Sequence, residues 1–282
     1  LLGDMPLFDA LTITFGSAGT GGFGIKNDSM MSYSPYLQWV VAIFMALFGV
    51  NFSFYYLLLL GKWRDAFKME EVRGYFFIIG ASIAIIMLNI GRTAMGLGDL
   101  LRHAAFQVSS IITTTGYATA DFNLWPEASR SILVLLMFIG ACAGSTGGAI
   151  KCSRVLLLLK CIRREIRQVV HPRSVNVVKL DGRVVDEDSL RSVQLFFAAY
   201  LFIALGATLL VSVDNFSFGT TFTAVVSCIG NVGPGLELVG PMGNYSAFSG
   251  FSKLVLSLCM LIGRLEVLPV LVLFSRNAWK RS

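Results

Sequence analysis

Hydrophobic residues in this chain come in long, nearly unbroken runs and do not alternate with polar ones. Runs at 36–61, 74–91, 192–213 and 247–275 are each about long enough to cross a bilayer, which needs ~20 apolar residues. A fifth, from Ser131 to about Ile162, is interrupted near its middle. Three shorter segments, 7–19, 101–113 and 217–230, lie between the long runs and are too short to span. Phe8, Leu11 and Phe15 recur at helical spacing in the first of these, and Phe106, Ile111 and Ile112 do so less regularly in the second. The pattern predicts an all-α integral membrane protein built from a repeated unit of helix, short re-entrant helix, loop and helix. The first visible copy lacks its opening helix, so the chain reads as a fragment of a longer repeat array.

Each short segment ends in the same kind of loop. The three read Thr20-Gly21-Gly22-Phe23-Gly24, Thr114-Thr115-Gly116-Tyr117-Ala118 and Asn231-Val232-Gly233-Pro234-Gly235. Non-helical backbone at membrane depth persists only when buried in protein or lining water. Successive carbonyls can face one axis only if alternate residues adopt unusual φ/ψ, which glycine does without a Cβ clash. A single Gly-Gly or Thr-Gly pair is most simply a close helix contact. Three in register, each behind a short helix whose C-terminal end brings partial negative charge, predict a ring of backbone oxygens around a cation. The candidate filter residues are Thr20, Gly21, Gly22, Thr114, Thr115, Gly116, Asn231, Val232 and Gly233.

The interrupted run carries the second signal. Apolar residues from Ser131 to Ala143 give way to Gly144-Ser145-Thr146-Gly147-Gly148, followed by Ala149-Ile150-Lys151. Small-residue contacts in a continuous helix would also use these glycines, but five consecutive small residues are poor helix formers. An unwound, flexible segment on a water-filled path is the better reading, and such a segment can act as a gate. Arg264 lies in the middle of an apolar run, Leu254 to Leu273, where a charge costs at least ~2.5 kcal/mol. Glu266, two residues on, points to another helix face. The expected partner of Arg264 is therefore the set of free carbonyls at 144–148, which suit the five donors of a guanidinium.

Composition agrees with a membrane protein: 55% of residues are hydrophobic, 14% are charged and mean hydropathy is +0.70. Seventeen of the 23 Lys/Arg fall in 62–73, in 151–191 and at the C-terminal end, all on one side of the predicted helices. The positive-inside rule makes that side cytoplasmic. On this reading the loop-bearing side carries Lys26, Arg92, Arg102 and Arg130 against eight acids, a net of −4, which would concentrate cations at an outer mouth. The basic total of +6 is thus a topology signal and implies no nucleic acid. Five Cys without paired spacing and two distant His offer neither a disulfide framework nor a metal site. No convergent nucleophile, base or metal set marks an enzyme.

The stretches Thr113–Asp121, Gly144–Lys151, Asn231–Leu236 and Gly263–Glu266 together resemble the Trk/Ktr potassium-uptake proteins of bacteria. His171-Pro172-Arg173 and Val178-Lys179-Leu180-Asp181-Gly182 are similar to the cytoplasmic connector of the TrkH branch. The resemblance implies a potassium-channel-like architecture of four repeats around one pore, each supplying a filter strand with a central glycine. Repeats would divide the chain at 1–61 (second repeat), 62–170 (third) and 171–282 (connector and fourth). It also implies potassium binding at the filter residues only, and potassium uptake across the inner membrane. A homodimer embedded in lipid, a cytosolic nucleotide-binding TrkA-like subunit and no organic cofactor follow too. A gating loop at Ala143–Lys151 is implied, with Gly144, Ser145, Thr146, Gly147, Gly148, Lys151 and Arg264 as gating residues. With one strand absent and Pro234 in the place of Tyr117, weaker discrimination against sodium is expected than in a four-fold symmetric channel. A proton- or sodium-coupled symporter of the same family is the main alternative. It would need an intramembrane ionisable residue, for which Arg264 and Glu266 are the candidates. An ATP-driven pump subunit could share the repeats, but no phosphate-binding loop is present in the sequence.

Overall fold

The computed structural model describes residues 1–91, 96–173 and 176–265. Its helices are α1 (Leu7–Ala18), α2 (Pro35–Phe48), α3 (Phe52–Leu59), α4 (Trp63–Lys68), α5 (Glu70–Ile90), α6 (Leu97–Ile112), α7 (Glu127–Ile139), α8 (Cys152–Val170), α9 (Glu187–Val211), α10 (Phe218–Gly230) and α11 (Gly250–Arg264). Short polar residues start several of them. Ser34 accepts from the Leu37 amide and is followed by Pro35 at the first helical position. Asp186, Ser217 and Ser249 cap α9, α10 and α11 in the same way.

Among the described residues, two helices are long and apolar enough to cross a membrane, Glu70–Ile90 and the extended α9 region Glu187–Asp214. The apolar run 36–61, expected as one span, is instead two helices bent by 90°. The elbow has a local cause. Asn51 Oδ1 accepts from the Ser53 amide at 2.8 Å and starts a new helix, while the backbone at Gly49 lies so close to Tyr75 that a Cβ there would overlap its hydroxyl. Tyr75 also donates to Ala46 O at 2.9 Å, which fixes the approach. The run 131–162 is broken, as expected, into α7 and α8 by the non-helical segment 140–151.

The short helices occupy the interior. In α6, residues 104–112 are buried throughout, and α10 is nearly so from Thr220 to Gly230. Helix α6 packs against α2, α5 and α7, and α10 against α7, α9 and α11. Helix α1 packs on α2 and leaves Leu7, Phe8, Leu11 and Phe15 exposed. The connector contains a feature not expected from the sequence reading, a hairpin of β1 (Lys179–Leu180) and β2 (Arg183–Val184). Asp181 and Gly182 both take positive φ in its turn, the chemistry an Asp-Gly pair supplies. Asp181 Oδ1 accepts from the Glu70 amide at 2.6 Å and so caps α5 from outside its own element. Lys160 of α8 pairs with Glu70 and donates to Lys179 O at 2.6 Å.

Candidate functional site

All three short helices end in the same way. Thr20, Thr114 and Asn231 have left-handed φ values of 51°, 57° and 56°. Their amides bond back three residues, to Ser17 O, Ile111 O and Cys228 O. The next amides, of Gly21, Thr115 and Val232, reach back five residues to Gly16 O, Ser110 O and Ser227 O, at 2.8, 2.9 and 2.9 Å. This is the Schellman arrangement of helix ends, repeated three times. Gly22, Gly116 and Gly233 follow with φ of 67°, 86° and 105°. Left-handed and ordinary residues therefore alternate, which turns successive carbonyls to one side of the strand. Eight of the nine amides, all but that of Gly233, are spent on the helix ends. No hydrogen bond to the carbonyls of the nine candidate filter residues occurs among the described residues, apart from Tyr245 to Gly233 O. Only half of the strained positions are glycine, contrary to the sequence expectation. Threonine in the left-handed region costs roughly 1–2 kcal/mol, strain of the kind that collects at functional sites.

The strands are adjacent. A Cβ on Gly22 would overlap the Thr115 carbonyl oxygen, and one on Gly116 would overlap that of Val232. Around Gly233 no described atom lies within 4 Å of such a Cβ. Tyr117 in the second loop donates to Phe23 O of the first at 2.9 Å, and Ser110 Oγ donates to Tyr117 O at 2.6 Å. Thus a tyrosine braces two strands from behind. A cavity of about 480 Å³ lies at the helix-end side of the strands, lined by all nine candidate filter residues except Thr114 and also by Arg264. A second, of about 260 Å³, touches Gly22, Gly116 and Gly233 from the other side. The nine residues picked from sequence are thereby brought together at one site.

The non-helical segment 140–151 is tied to these strands. Thr146 O accepts from Thr20 Oγ1 at 2.9 Å and from Arg264 Nη1 at 3.0 Å. Gly148 N donates to Thr114 Oγ1 at 2.7 Å, and Ala149 N to Gly230 O at 3.1 Å. Lys151, at φ 81°, donates to Gly147 O. Arg264 thus meets the carbonyl partner expected for it. Two cationic side chains hold two consecutive carbonyls of the segment. Ser145 Oγ turns inward to Cys142 O at 2.6 Å, and Gly144 O accepts from the Phe52 amide at 3.1 Å. Glu266 lies outside the described residues.

Three features of the site escape the sequence reading. Glu71, placed there in the basic connector, is only 4% exposed. Lys253 lies in the first turn of α11, at the loop-bearing end of that helix, and donates to Ser246 O at 2.8 Å. Counting it lowers the acidic excess at that end from −4 to −3. Glu237 caps α10 through the Thr220 amide at 3.1 Å and also accepts from the Ser217 and Thr220 hydroxyls. The hydrogen bond from Ser217 is the main reason its pKa is lowered.

The profile of the family described as "TrkH: Cation transport protein" matches residues 2–281. The Trk system potassium uptake protein TrkH of Salmonella typhimurium is 36% identical over 287 residues, covering 98% of this chain and 58% of that protein. Trk system potassium uptake protein TrkG of Escherichia coli K12 is 33% identical, with 99% and 58% covered. A crystal structure of the potassium transporter TrkH from Vibrio parahaemolyticus superposes with a TM-score of 0.91 at 30% identity, over 99% of this chain and 60% of that one. The chain therefore spans a little under three fifths of the curated relatives it matches. With the family profile running nearly end to end and the fold shared, this chain belongs to the TrkH family of cation transport proteins.

Proposed function

We propose that this chain forms three quarters of a potassium pathway, in a protein that takes up potassium across the bacterial inner membrane by channel-like permeation. One observation carries the reading: the threefold alternation of left-handed and ordinary residues, with all but one of its amides consumed by the helix ends. Such strands offer unpartnered carbonyls to a cation shedding its water, and the helix C-termini behind them add partial negative charge. The relatives' names describe potassium uptake, which favours potassium as cargo. With strands of unequal sequence, the pathway discriminates less sharply against sodium than a four-fold symmetric filter. The loop ends face outward and the basic connectors inward. A homodimer with a cytosolic nucleotide-binding partner completes the proposal, the connector hairpin and α8 offering that partner a basic surface.

Segment 140–151 is the gate in this reading. It closes the cytoplasmic approach to the strands while Arg264 and Lys151 hold its carbonyls, and the two positive charges repel a cation from the path. The test is expression of the full-length protein in a strain lacking potassium uptake. Growth at low potassium and rubidium uptake inhibited by potassium more than by sodium are expected. Inserted protein that restores neither growth nor uptake would overturn the function. Equal inhibition by proton uncouplers and by loss of membrane potential alone is expected for channel-like flux. Uptake that stops when the proton or sodium gradient collapses at constant potential would mean a symporter.

A further inference from the structure

Glu71 sits in the first turn of α5 and is buried against the feet of the gate segment. Its Oε1 accepts from the Ala143 amide at 2.6 Å and from the Ser153 amide at 3.0 Å. Its Oε2 receives Asn51 Nδ2 at 3.4 Å, and its backbone carbonyl receives the Cys152 thiol at 3.9 Å. Ala143 precedes the turn of the segment, and Ser153 is in the first turn of α8, whose N-terminal residue Lys151 makes no side-chain cap. One oxygen of a third element therefore supplies the missing helix cap and fastens the opposite foot of the loop. A carboxyl so deeply buried is tolerated only when its oxygens are satisfied. Here the donors come from both feet of the loop and from the α2–α3 elbow.

We propose that Glu71 is the positioning residue of the gate: it clamps residues 143 and 153 together, so that opening is confined to 144–151 and the loop can return to one closed position. The proposal rests on the gate reading of segment 140–151. Without the clamp both feet are released and the closed position loses definition.

Three variants of the full-length protein, Glu71→Ala, Glu71→Gln and Glu71→Asp, test it, each made with and without deletion of 144–148. Resting rubidium flux is read in every protein, and the mobility of a spin label at Ser145 in those that keep the loop, all shown to be inserted. Loss of one buried hydrogen bond shifts a closed-to-open ratio by about tenfold. Glu71→Ala is expected to raise resting flux by at least about that factor and to mobilise the label. Glu71→Asp is one methylene too short to reach both amides and should do nearly as much. Glu71→Gln keeps an acceptor oxygen for the two feet and should do least. None should add flux once the loop is deleted. Wild-type flux and mobility in all three variants, or an equal rise with and without the loop, would overturn the clamp. A mobilised label with unchanged flux, together with unchanged flux on loop deletion, would instead keep the clamp and overturn the gate. If Glu71→Ala fails to insert, the ranking of Asp above Gln decides alone.

Discussion

Replacing Gly116 by alanine should damage two strands at once. At φ 86° an L-residue is strained by roughly 1–2 kcal/mol. The added Cβ would also overlap the carbonyl oxygen of Val232 in the neighbouring strand. Ordinary contact would require that carbonyl to retreat by about 1 Å, a gap at which a packing contact forfeits roughly half of its attraction. The displaced oxygen is itself one of the proposed ligands, so the fault passes from the third repeat to the fourth. A carbonyl 1 Å out of place favours an ion of different size or one that keeps some water, and potassium should lose preference to sodium by tenfold or so, ~1.4 kcal/mol. The assay is rubidium uptake with potassium and sodium as competitors, in the full-length protein with Gly116→Ala or Gly116→Ser. Selectivity and maximal uptake indistinguishable from wild type, at equal membrane abundance, would refute the reasoning.

Arg264→Ala removes the guanidinium from Thr146 O and should raise resting flux. A hydrogen bond to a charged donor is worth ~1.5–3 kcal/mol, and the rise should be less than additive with loop deletion; flux at or below wild type in inserted protein refutes the gate. Thr114→Val keeps the β-branched shape and the left-handed strain but takes the acceptor from Gly148 N, leaving that amide unsatisfied at ~1–3 kcal/mol. Resting flux should rise here too, measured as rubidium uptake in inserted protein. Glu237 has a folded pKa below its ordinary 4.5, so its contribution to stability is present above that value and is lost as pH falls through the lowered one. Thermal melts of purified protein should show a decline on acidification below about 4.5 that Glu237→Gln flattens.

The repeat and its loops were legible because both signals are local. A Gly at the same offset behind a short apolar helix is a backbone requirement written in the residue itself. Arg264 was legible for a similar reason, since a charge within an apolar run must find acceptors and the Gly144–Gly148 stretch was the obvious supply. The strained residues were only half legible. Thr20 and Thr114 resemble ordinary helix-end residues, and what holds them left-handed is the pair of amide bonds returning to the helix. Glu71 was hidden by its neighbours. Beside Lys68, Glu70 and Arg73 it reads as solvated connector, and the amides that bury it come from residues 72 and 82 positions away. The elbow at Gly49–Asn51 was missed because apolar residues flank it on both sides, although an Asn before Phe52-Ser53 is a helix-start signal. Once the elbow forms, helix α2 is ~21 Å long and falls short of a ~30 Å hydrocarbon core by itself.

Strands whose amides, apart from that of Gly233, are bonded back to the helix ends place like dipole ends side by side. Their oxygens repel one another until something positive stands between them, so the pathway doubles as a ligand-dependent part of the fold. By mass action an ion that binds only the assembled ring stabilises it by RT ln(1 + [ion]/Kd), ~2.7 kcal/mol at a hundred times the Kd. The cargo in transit is then also a scaffold. In the proposed reading, a cell starved of potassium holds a pathway that is both idle and less firmly built, and the hydroxyls of Thr20 and Thr114 pass that loosening on to the segment beneath.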